Sequence, residues 1–224
     1  ATILAFADGK SVLPMVSAQD YKRIYDNDKG LNTGGMGAVS PALHYKDEMD
    51  DEILNSIIIP TVNAMSTENR PYKGVLYFGL MLTDKGPKVI EYNCRFGDPE
   101  AEVVLLRLEN DLVEIMESVV DEKLEEVDIQ WMDEAAVCVV IASAGYPEAY
   151  SKGYEISGLG DVAEGIVFHA GTKFDNGKIL TNGGRVLICS ALGKNVESAR
   201  QNAYKAVGKI HFEGCYYRKD IAKV

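Results

Sequence analysis

The sequence predicts an α+β fold, a mainly antiparallel sheet with helices, followed by a small mixed α/β domain. Three observations lead to this prediction. Two hairpin patterns occupy residues 2–16 and 74–93, a helical spacing of four lies between them, and the acidic polar stretch 121–134 separates the chain into two parts. We therefore expect two domains, residues 1–125 and residues 134–224.

Each hairpin pattern consists of two apolar runs around a short polar turn. Residues 2–7 and 11–16 flank the turn sequence DGK, and residues 74–82 and 87–93 flank the sequence TDKG. Asp-Gly between two apolar runs is the strongest short-range hairpin signal. Both segments are therefore predicted as pairs of antiparallel strands.

Other segments of the first domain are predicted from their spacing and polarity. Residues 17–37 are polar, and we expect a long functional loop there, because long ordered loops usually serve function. A spacing of four predicts a helix over residues 46–68, which Pro60 should kink or split; the positions are Met49, Ile53, Ile57, Thr61 and Met65. Residues 99–120 predict a further helix with acidic residues at its N-terminus.

The second domain is predicted from apolar runs separated by Gly-rich turns. A single helical pattern follows these runs, with small and apolar residues at a helical spacing. The strands are expected at residues 135–143, 165–170, 178–181 and 184–191, and the helix at residues 194–209.

The composition of the 224-residue chain excludes several classes of protein. Asp and Glu total 34 against 23 Lys and Arg, for a formal net charge of −11, and 46% of the residues are hydrophobic. This balance excludes a disordered chain and argues against nucleic-acid binding, which depends on clustered Lys and Arg. A small anionic ligand is still allowed, because it needs only a few local donors.

Cysteine spacing and hydropathy address the compartment. No two of the four cysteines are close enough for a CxxC pair, and we expect reduced, mostly buried thiols; the cysteines are Cys94, Cys138, Cys189 and Cys215. No apolar stretch approaches the roughly 20 residues of a membrane helix. A cytoplasmic protein without a membrane partner is the expectation.

The densest polar segment is EYNCRFGDPE at residues 91–100. Because side chains alternate along a strand, Glu91 and Asn93 share one face, and Arg95 continues it if the strand stays extended. A carboxylate and an amide oxygen suit Mg²⁺, and the arginine could hold a phosphate or carboxylate. A solvated strand face is the alternative, although the apolar flanks indicate a core sheet.

Two further segments could bind an anion. The sequence NTGGMG at residues 32–37 could form a nest of backbone N–H groups, or it could be a flexible tight turn. It matches neither a Walker A loop nor a Rossmann fingerprint. Near it, Lys22 and Arg23 follow Asp20 and could steer a phosphorylated substrate, with a surface salt bridge as the alternative.

These segments together resemble the phosphoribosylamine–glycine ligase family (glycinamide ribonucleotide synthetases) of the ATP-grasp superfamily. The motifs of the first domain that carry the likeness are residues 17–23, 32–41 and 91–100. The family's C-terminal domain is similar to residues 169–172, 181–187 and 217–221. The resemblance covers essentially the whole chain.

The resemblance implies a fold, a reaction and cofactors. Residues 1–125 would be the second half, the C-terminal lobe, of an ATP-grasp domain, and residues 134–224 the C-terminal domain of the ligase. The implied reaction joins glycine to 5-phosphoribosylamine at the expense of ATP, giving glycinamide ribonucleotide, ADP and phosphate in purine synthesis by way of glycyl phosphate. The implied cofactors are ATP and Mg²⁺, or Mn²⁺ in its place.

The resemblance also implies roles for individual residues. Glu91 and Asn93 would be the metal ligands, and Arg95 and Asp98 would be catalytic. The substrate- and phosphate-binding residues would be Asp20, Lys22, Arg23, Asn32, Thr33, Gly34, Gly35, Gly37 and Glu100.

The sequence departs from the family pattern in two respects. Residues 74–82 contain no Asp or Glu, so we expect only two protein ligands for the metal. The family's N-terminal domain and first nucleotide-binding strands have no counterpart, and the chain opens as a strand at Ala1. We therefore expect the C-terminal part of a ligase, inactive without its N-terminal region. The alternatives are another ATP-grasp carboxylate–amine ligase of purine metabolism and a non-catalytic binding or assembly module.

Overall fold

The computed structural model describes residues 1–223. Its strands are β1 (Thr2–Asp8), β2 (Val12–Pro14), β3 (Gln19–Asp20), β4 (Arg23–Tyr25), β5 (Lys29–Asn32), β6 (Gly37–Ser40), β7 (Lys73–Thr83), β8 (Gly86–Asn93), β9 (Ala135–Ser143), β10 (Ile166–His169), β11 (Thr172–Asp175), β12 (Lys178–Thr181), β13 (Arg185–Gly193) and β14 (Cys215–Tyr216). Its helices are α1 (Asp50–Ile53), α2 (Ile59–Thr67), α3 (Ala101–Val104), α4 (Leu112–Val120) and α5 (Val196–Val207). The mixture of antiparallel sheets and a few helices confirms the predicted α+β class.

The chain forms two compact units that interleave along the sequence. Unit 1 consists of Ala1–Gln19, Pro41–Gly97 and Arg107–Met132, and unit 2 of Asp20–Ser40, Asp98–Leu106 and Asp133–Val224. The last passage from unit 1 to unit 2, at Met132, lies inside the stretch predicted as a linker. The division into domains 1–125 and 134–224 stays a prediction.

Unit 1 is built on a four-stranded antiparallel sheet of order β2–β1–β7–β8. The helical segment containing α1 and α2 packs on one face of this sheet, because alternate residues of β1 and β7 are apolar on that side. The buried core between them contains Ile3, Ala5, Ala7, Ile53, Ile57, Ile58, Val62, Leu76, Phe78 and Leu80. Both predicted hairpins are confirmed, and Asp8 closes the first turn by accepting from the backbone N–H groups of Lys10 and Ser11.

The sequence predicts that Pro60 kinks or splits its helix, but the helical segment continues through the proline. A π-helical turn, Leu54–Ile58, joins α1 to α2 immediately before the proline. Proline has no N–H to donate and its ring crowds the preceding turn, so a widened turn accommodates it without ending the helix.

The prediction of a single helix over residues 99–120 is wrong. The chain forms the short helix α3 and a 3₁₀ turn, leaves helical geometry, and restarts as α4 after Asp111. The Asp111 carboxylate accepts from the Val113 N–H at 2.8 Å, a standard N-cap. The interruption coincides with a bridge between Leu108 and Trp131, which a local helical pattern cannot reveal.

Unit 2 is built on a second antiparallel sheet, in which β10, β13, β9 and β6 lie side by side and β14 also pairs with β9. All nine residues of β9 are buried. Helix α5 packs on β9 and β13 through its small buried residues Ala199 and Ala203. These elements confirm the strands at 135–143 and 184–191 and the helix at 194–209 to within a few residues.

Residues 17–37 are not the long loop that the sequence predicts. They contain the short strand β3 and a β4–β5 hairpin whose turn residues Asn27 and Asp28 have φ values of 58° and 51°. Asn and Asp tolerate this left-handed conformation better than other non-glycine residues, so the turn could be recognised only from these two positions.

The structure also bears on the lengths of the apolar helices and on the state of the cysteines. No helix within residues 1–223 is long and apolar enough to cross a bilayer. All four cysteines are free thiols, with Cys138 and Cys189 buried as expected.

Candidate functional site

Glu91 and Asn93 share one face of the unit 1 sheet, as the sequence predicts. In the ladder Glu91 pairs with Gly79 and Asn93 with Tyr77. Tyr92 points to the opposite face, where its ring packs edge-on against Phe78 at 5.5 Å between centroids. The two oxygen-bearing side chains therefore lie on the face of the sheet that α1 and α2 do not cover.

A β-bulge determines which face receives this pair. Leu80 pairs with Val89 and Gly79 with Glu91, so Ile90 is an extra residue on β8. Without the bulge Val89 and Glu91 would point the same way, and Val89 packs into the core beneath the helices. The extra residue re-aims Glu91 to the other side and leaves Ile90 63% exposed.

The chemistry of the pair fits a hard divalent cation. Among the described residues, neither the Glu91 carboxylate nor the Asn93 amide has a hydrogen-bond or ion-pair partner, so their oxygen atoms are available. Gly79 leaves room beside them, because a Cβ there would lie 3.0 Å from Glu91 Cγ. Residues 1–223 contain no cluster of three or more His, Cys, Asp or Glu with metal-binding geometry. Phosphate oxygens and water are the further ligands that a cation such as Mg²⁺ usually takes beside one or two carboxylates.

Arg95 does not continue the face of Glu91 and Asn93. Strand β8 ends at Asn93, and the Arg95 guanidinium donates to the carbonyl of its neighbour Phe96 at 2.8 Å. The arginine borders an apolar hollow formed by Phe6, Phe96, Met116, Val119 and other residues of unit 1. Its predicted catalytic role stays a prediction.

The other predicted site residues lie in unit 2, where residues 20–23 run beside residues 32–37. Arg23 pairs with Asn32 in the β4–β5 ladder, and the N–H and hydroxyl of Thr33 both donate to the Lys22 carbonyl, at 2.7 and 2.8 Å. Lys22 forms an ion pair with Asp20. The structure thus brings together two segments that the sequence singled out separately.

The backbone N–H groups of this loop donate to protein acceptors. Gly34 N–H donates to the Tyr146 hydroxyl at 3.0 Å, Gly35 N–H to the Thr33 hydroxyl at 2.9 Å, and Met36 N–H to the Tyr21 carbonyl at 2.8 Å. They do not form the open nest that an anion would need. The glycines instead permit close packing: a Cβ on Gly35, where φ is +118°, would lie 2.4 Å from Pro99 Cδ.

Arg185, which the sequence did not single out as a site residue, joins the loop to Asp98. Its Nη1 lies 2.9 Å from the Gly34 carbonyl, 3.0 Å from the Asp98 carbonyl and 2.9 Å from Asp98 Oδ1. Arg185 stands in the segment 181–187, whose likeness to a C-terminal domain was the available signal. Its contact with Gly34 spans 151 residues.

A buried glutamate and a partly buried one follow Asp98. Glu100 is 2% exposed and its carbonyl accepts from the first turn of α3. Glu102, also missed in the sequence, has a buried Oε2 without a hydrogen-bond partner. Burial, and then the nearby charge of Asp98, raise the pKa of Glu102 to about 7, because both disfavour its ionised form.

The β4–β5 hairpin is held in place by Arg218, which is 1% exposed. Its guanidinium donates to the Arg23 carbonyl, to Asp28 and to both oxygens of Asp220 at 2.8–3.0 Å. Burial alone would raise the pKa of Asp220, but hydrogen bonds from Arg218 and the Asn27 N–H lower it to about 2. Arg218 therefore has a structural role, and nothing in its local sequence indicates this role.

Comparison with solved structures defines the class of fold. A biotin carboxylase domain from Hydrogenobacter thermophilus, in complex with MgADP and bicarbonate, is similar over 96% of this chain and 46% of that chain, with a TM-score of 0.64 at 14% identity. A phosphoribosylamine–glycine ligase from Thermotoga maritima is similar over 98% of this chain and 55% of that chain, with a TM-score of 0.85 at 38% identity. The fold is that of the ATP-grasp proteins.

Sequence comparison identifies the family within that class. Residues 1–101 match the model of the phosphoribosylglycinamide synthetase ATP-grasp (A) domain, and residues 136–224 match that of the C domain. A phosphoribosylamine–glycine ligase from Caldanaerobacter subterraneus is 52% identical over 222 residues, covering 99% of this chain and 53% of that relative. The chain belongs to the phosphoribosylglycinamide synthetase family, and it spans about half the length of the curated relatives it matches.

Proposed function

We propose that the protein containing this chain ligates glycine to 5-phosphoribosylamine with ATP, giving glycinamide ribonucleotide, ADP and phosphate by way of glycyl phosphate. Family membership supports the reaction, because the relatives at about 50% identity bear the name phosphoribosylamine–glycine ligase. The structural observation that carries the proposal is the Glu91 and Asn93 pair, which presents two unpartnered oxygen ligands on an open sheet face. Glycine, phosphoribosylamine and the rest of the enzyme are the proposed partners.

Glu91 and Asn93 would hold Mg²⁺, or Mn²⁺ in its place. The MgADP complex of a protein with the same fold supports a nucleotide-bound magnesium ion here. When bound, the cation offsets the charge on the phosphate oxygens of ATP. The two side chains contribute by fixing the position of the cation from a rigid strand, since the bulge at Ile90 holds them on one face.

The unit 2 residues would bind substrate rather than the cation. Lys22 and Arg23 supply positive charge beside residues 32–37, which favours a phosphorylated substrate. The hydrogen bonds of Thr33, Gly34 and Gly35 preorganise the loop, so that its remaining surface can contact substrate without ordering cost. Arg95 and Asp98 are proposed to contact the reacting groups, and no protein nucleophile is required for attack of an amine on an acyl phosphate.

Substitution of Glu91 tests the proposal. In the complete gene product, Glu91→Ala should keep the fold and lower glycine-dependent ADP formation roughly hundredfold or more, because the cation loses a charged protein ligand. Asp84→Ala is the matched control, since Asp84 is an exposed carboxylate in the turn of the same hairpin. Near wild-type turnover by Glu91→Ala would exclude the metal assignment. ADP release that does not depend on glycine would exclude the substrate and favour another ligase of this class.

A further inference from the structure

We propose that Arg185 binds a substrate oxyanion, a phosphate or a carboxylate, through its Nε and Nη2 while its Nη1 holds residues 34–35 and Asp98 in place. The identity of the molecule that carries the anion rests on the proposed function. The anion site itself rests on the geometry of unit 2 alone.

The Nη1 atom of Arg185 is fully used by the protein. It lies within 3.0 Å of the Gly34 carbonyl, the Asp98 carbonyl and Asp98 Oδ1, and 3.5 Å from the Gly35 carbonyl. These contacts orient the planar guanidinium, because its five N–H groups are rigidly related to one another. The side chain is therefore fixed before any ligand arrives.

The opposite edge of the guanidinium has no acceptor within the described part of the chain. Nε carries one N–H and Nη2 carries two, and neither atom donates to any of residues 1–223. The Arg185 side chain is 20% exposed, so the side chain is not sealed from solvent. Two parallel N–H groups match the spacing of two oxygens of a phosphate or carboxylate.

Gly34 leaves the flat face of the guanidinium in close contact with the loop. A Cβ at this position would lie 3.0 Å from Arg185 Cζ, 3.1 Å from Nη2 and 3.2 Å from Nε. Nearly equal distances to three atoms of the plane mean that a side chain at residue 34 would press on the face of the group. Any larger residue here would therefore shift the Arg185 guanidinium by a few tenths of an ångström.

Three other cationic side chains of unit 2 already have protein partners. Lys22 pairs with Asp20, Arg23 Nη1 donates to the Gly30 carbonyl, and Arg218 is buried among its partners. Asp98 and the neighbouring Glu100 and Glu102 add negative charge near Arg185, which opposes a free anion. We therefore expect inorganic phosphate alone to bind with a Kd on the order of 1 mM, and a substrate with further contacts to bind more tightly.

Direct binding to this chain is the first test, and it requires no activity. Inorganic phosphate and glycine are titrated separately, at concentrations on the order of 10 mM, and chemical-shift changes at the backbone amides of Gly34 and Gly35 are followed. Arg185→Lys keeps the charge and removes the planar fork, so affinity for the bound probe should fall about tenfold. Arg200→Lys is the control, because Arg200 lies outside this cluster and donates to the carbonyls of Lys219 and Ile221. Equal affinity in wild type and Arg185→Lys, or binding of neither probe to wild type, overturns the proposal.

Gly34→Ala is the second variant, and it leaves every charge in place. The added methyl displaces the guanidinium by a few tenths of an ångström, and affinity for the probe should fall roughly threefold. Far-UV circular dichroism and thermal unfolding show whether each variant is folded. If Gly34→Ala folds and binds the probe as wild type does, the close packing of Gly34 on Arg185 is irrelevant to the anion and the proposal fails.

Kinetics of the complete gene product identify the carrier of the anion. A rise of about tenfold in KM for phosphoribosylamine, with kcat little changed, assigns the phosphate, and the same rise for glycine assigns the carboxylate. A fall in kcat with every KM unchanged contradicts anion binding and leaves Arg185 a structural role. If wild type shows no ligase activity but Arg185→Lys still weakens phosphate binding, the proposed function fails while the anion site stands.

Discussion

Glu91 and Asn93 in unit 1 present oxygen atoms without a protein partner among the described residues, whereas the loop amides of unit 2 all donate to protein acceptors from Thr33 to Met36. Both regions are rich in polar groups and both were candidate sites from the sequence. They differ in whether those groups are already satisfied. The oxygen atoms of Glu91 and Asn93 are available to a ligand, whereas the loop amides of unit 2 serve to hold the loop in its conformation.

This difference follows from the cost of leaving polar groups unpaired. Glu91 is exposed and Asn93 half-buried, so water can satisfy them until a cation arrives. Gly35 and Met36 are buried, so their N–H groups need permanent partners. A glycine-rich motif can therefore serve a site by fixing the groups around it, here Arg185, rather than by binding an anion itself.

The largest expected effect is a loss of stability in unit 2, where the polar groups already have protein partners. Arg218→Met should destabilise unit 2 by about 3 kcal/mol, because it removes the guanidinium that donates to Asp28, to Asp220 and to the Arg23 carbonyl. Urea-induced unfolding measures the change. Arg95→Met is the matched control, because this exposed arginine donates to the carbonyl of its neighbour Phe96. It should change stability by less than about 0.5 kcal/mol. Equal losses in the two variants would remove the contrast between the regions.

A smaller effect is expected from Glu102, whose Oε2 is a buried atom of unit 2 without a hydrogen-bond partner among the described residues. Its pKa is raised from 4.5 to about 7, so folding favours the protonated form, and its contribution to stability is present below about pH 4.5 and is lost as the pH rises through about 7. Glu102→Gln stays neutral at every pH. After allowance for partial solvent screening, it should exceed wild type in stability by about 1–2 kcal/mol at about pH 8.

The pH profile of the same pair of proteins is the control for Glu102. Below about pH 4.5 both side chains are neutral, and the difference in unfolding free energy should nearly vanish. A difference that is constant with pH would mean that packing, and not charge, distinguishes the variants.

The smallest expected effect is on metal binding by Glu91 and Asn93 in unit 1. Gly79→Ala should weaken metal binding a few-fold, because its Cβ would lie 3.0 Å from Glu91 Cγ and push that side chain aside. Half-saturation of activity by Mg²⁺ measures this, and paramagnetic broadening of the Asn93 amide by Mn²⁺ measures it without turnover. Gly208→Ala, where the nearest atom would be 3.4 Å away, is the control. Unchanged broadening in Gly79→Ala would show that Glu91 does not depend on this space.

The sequence predicts the features of fold and site that depend on neighbouring residues. It does not predict those that depend on contacts between residues far apart in the chain. Alternation placed Glu91 and Asn93 on one face, and the Asp-Gly turn predicted the first hairpin, because both are local patterns. The contacts of Arg185 with Gly34 and of Arg218 with Arg23 join positions 151 and 195 residues apart. The predicted helix over residues 99–120 failed for the same reason, since Leu108 bridges to Trp131.

The bulge at Ile90 also makes this strand tolerant of changes in length. A relative lacking this one residue would regain an unbroken ladder, with Leu80 beside Val89 and Gly79 beside Glu91 as before. Loss of one residue at this position is therefore absorbed without turning the acidic side chain under the helices. A single insertion between Glu91 and Asn93 has no such outlet and would place them on opposite sides of the sheet.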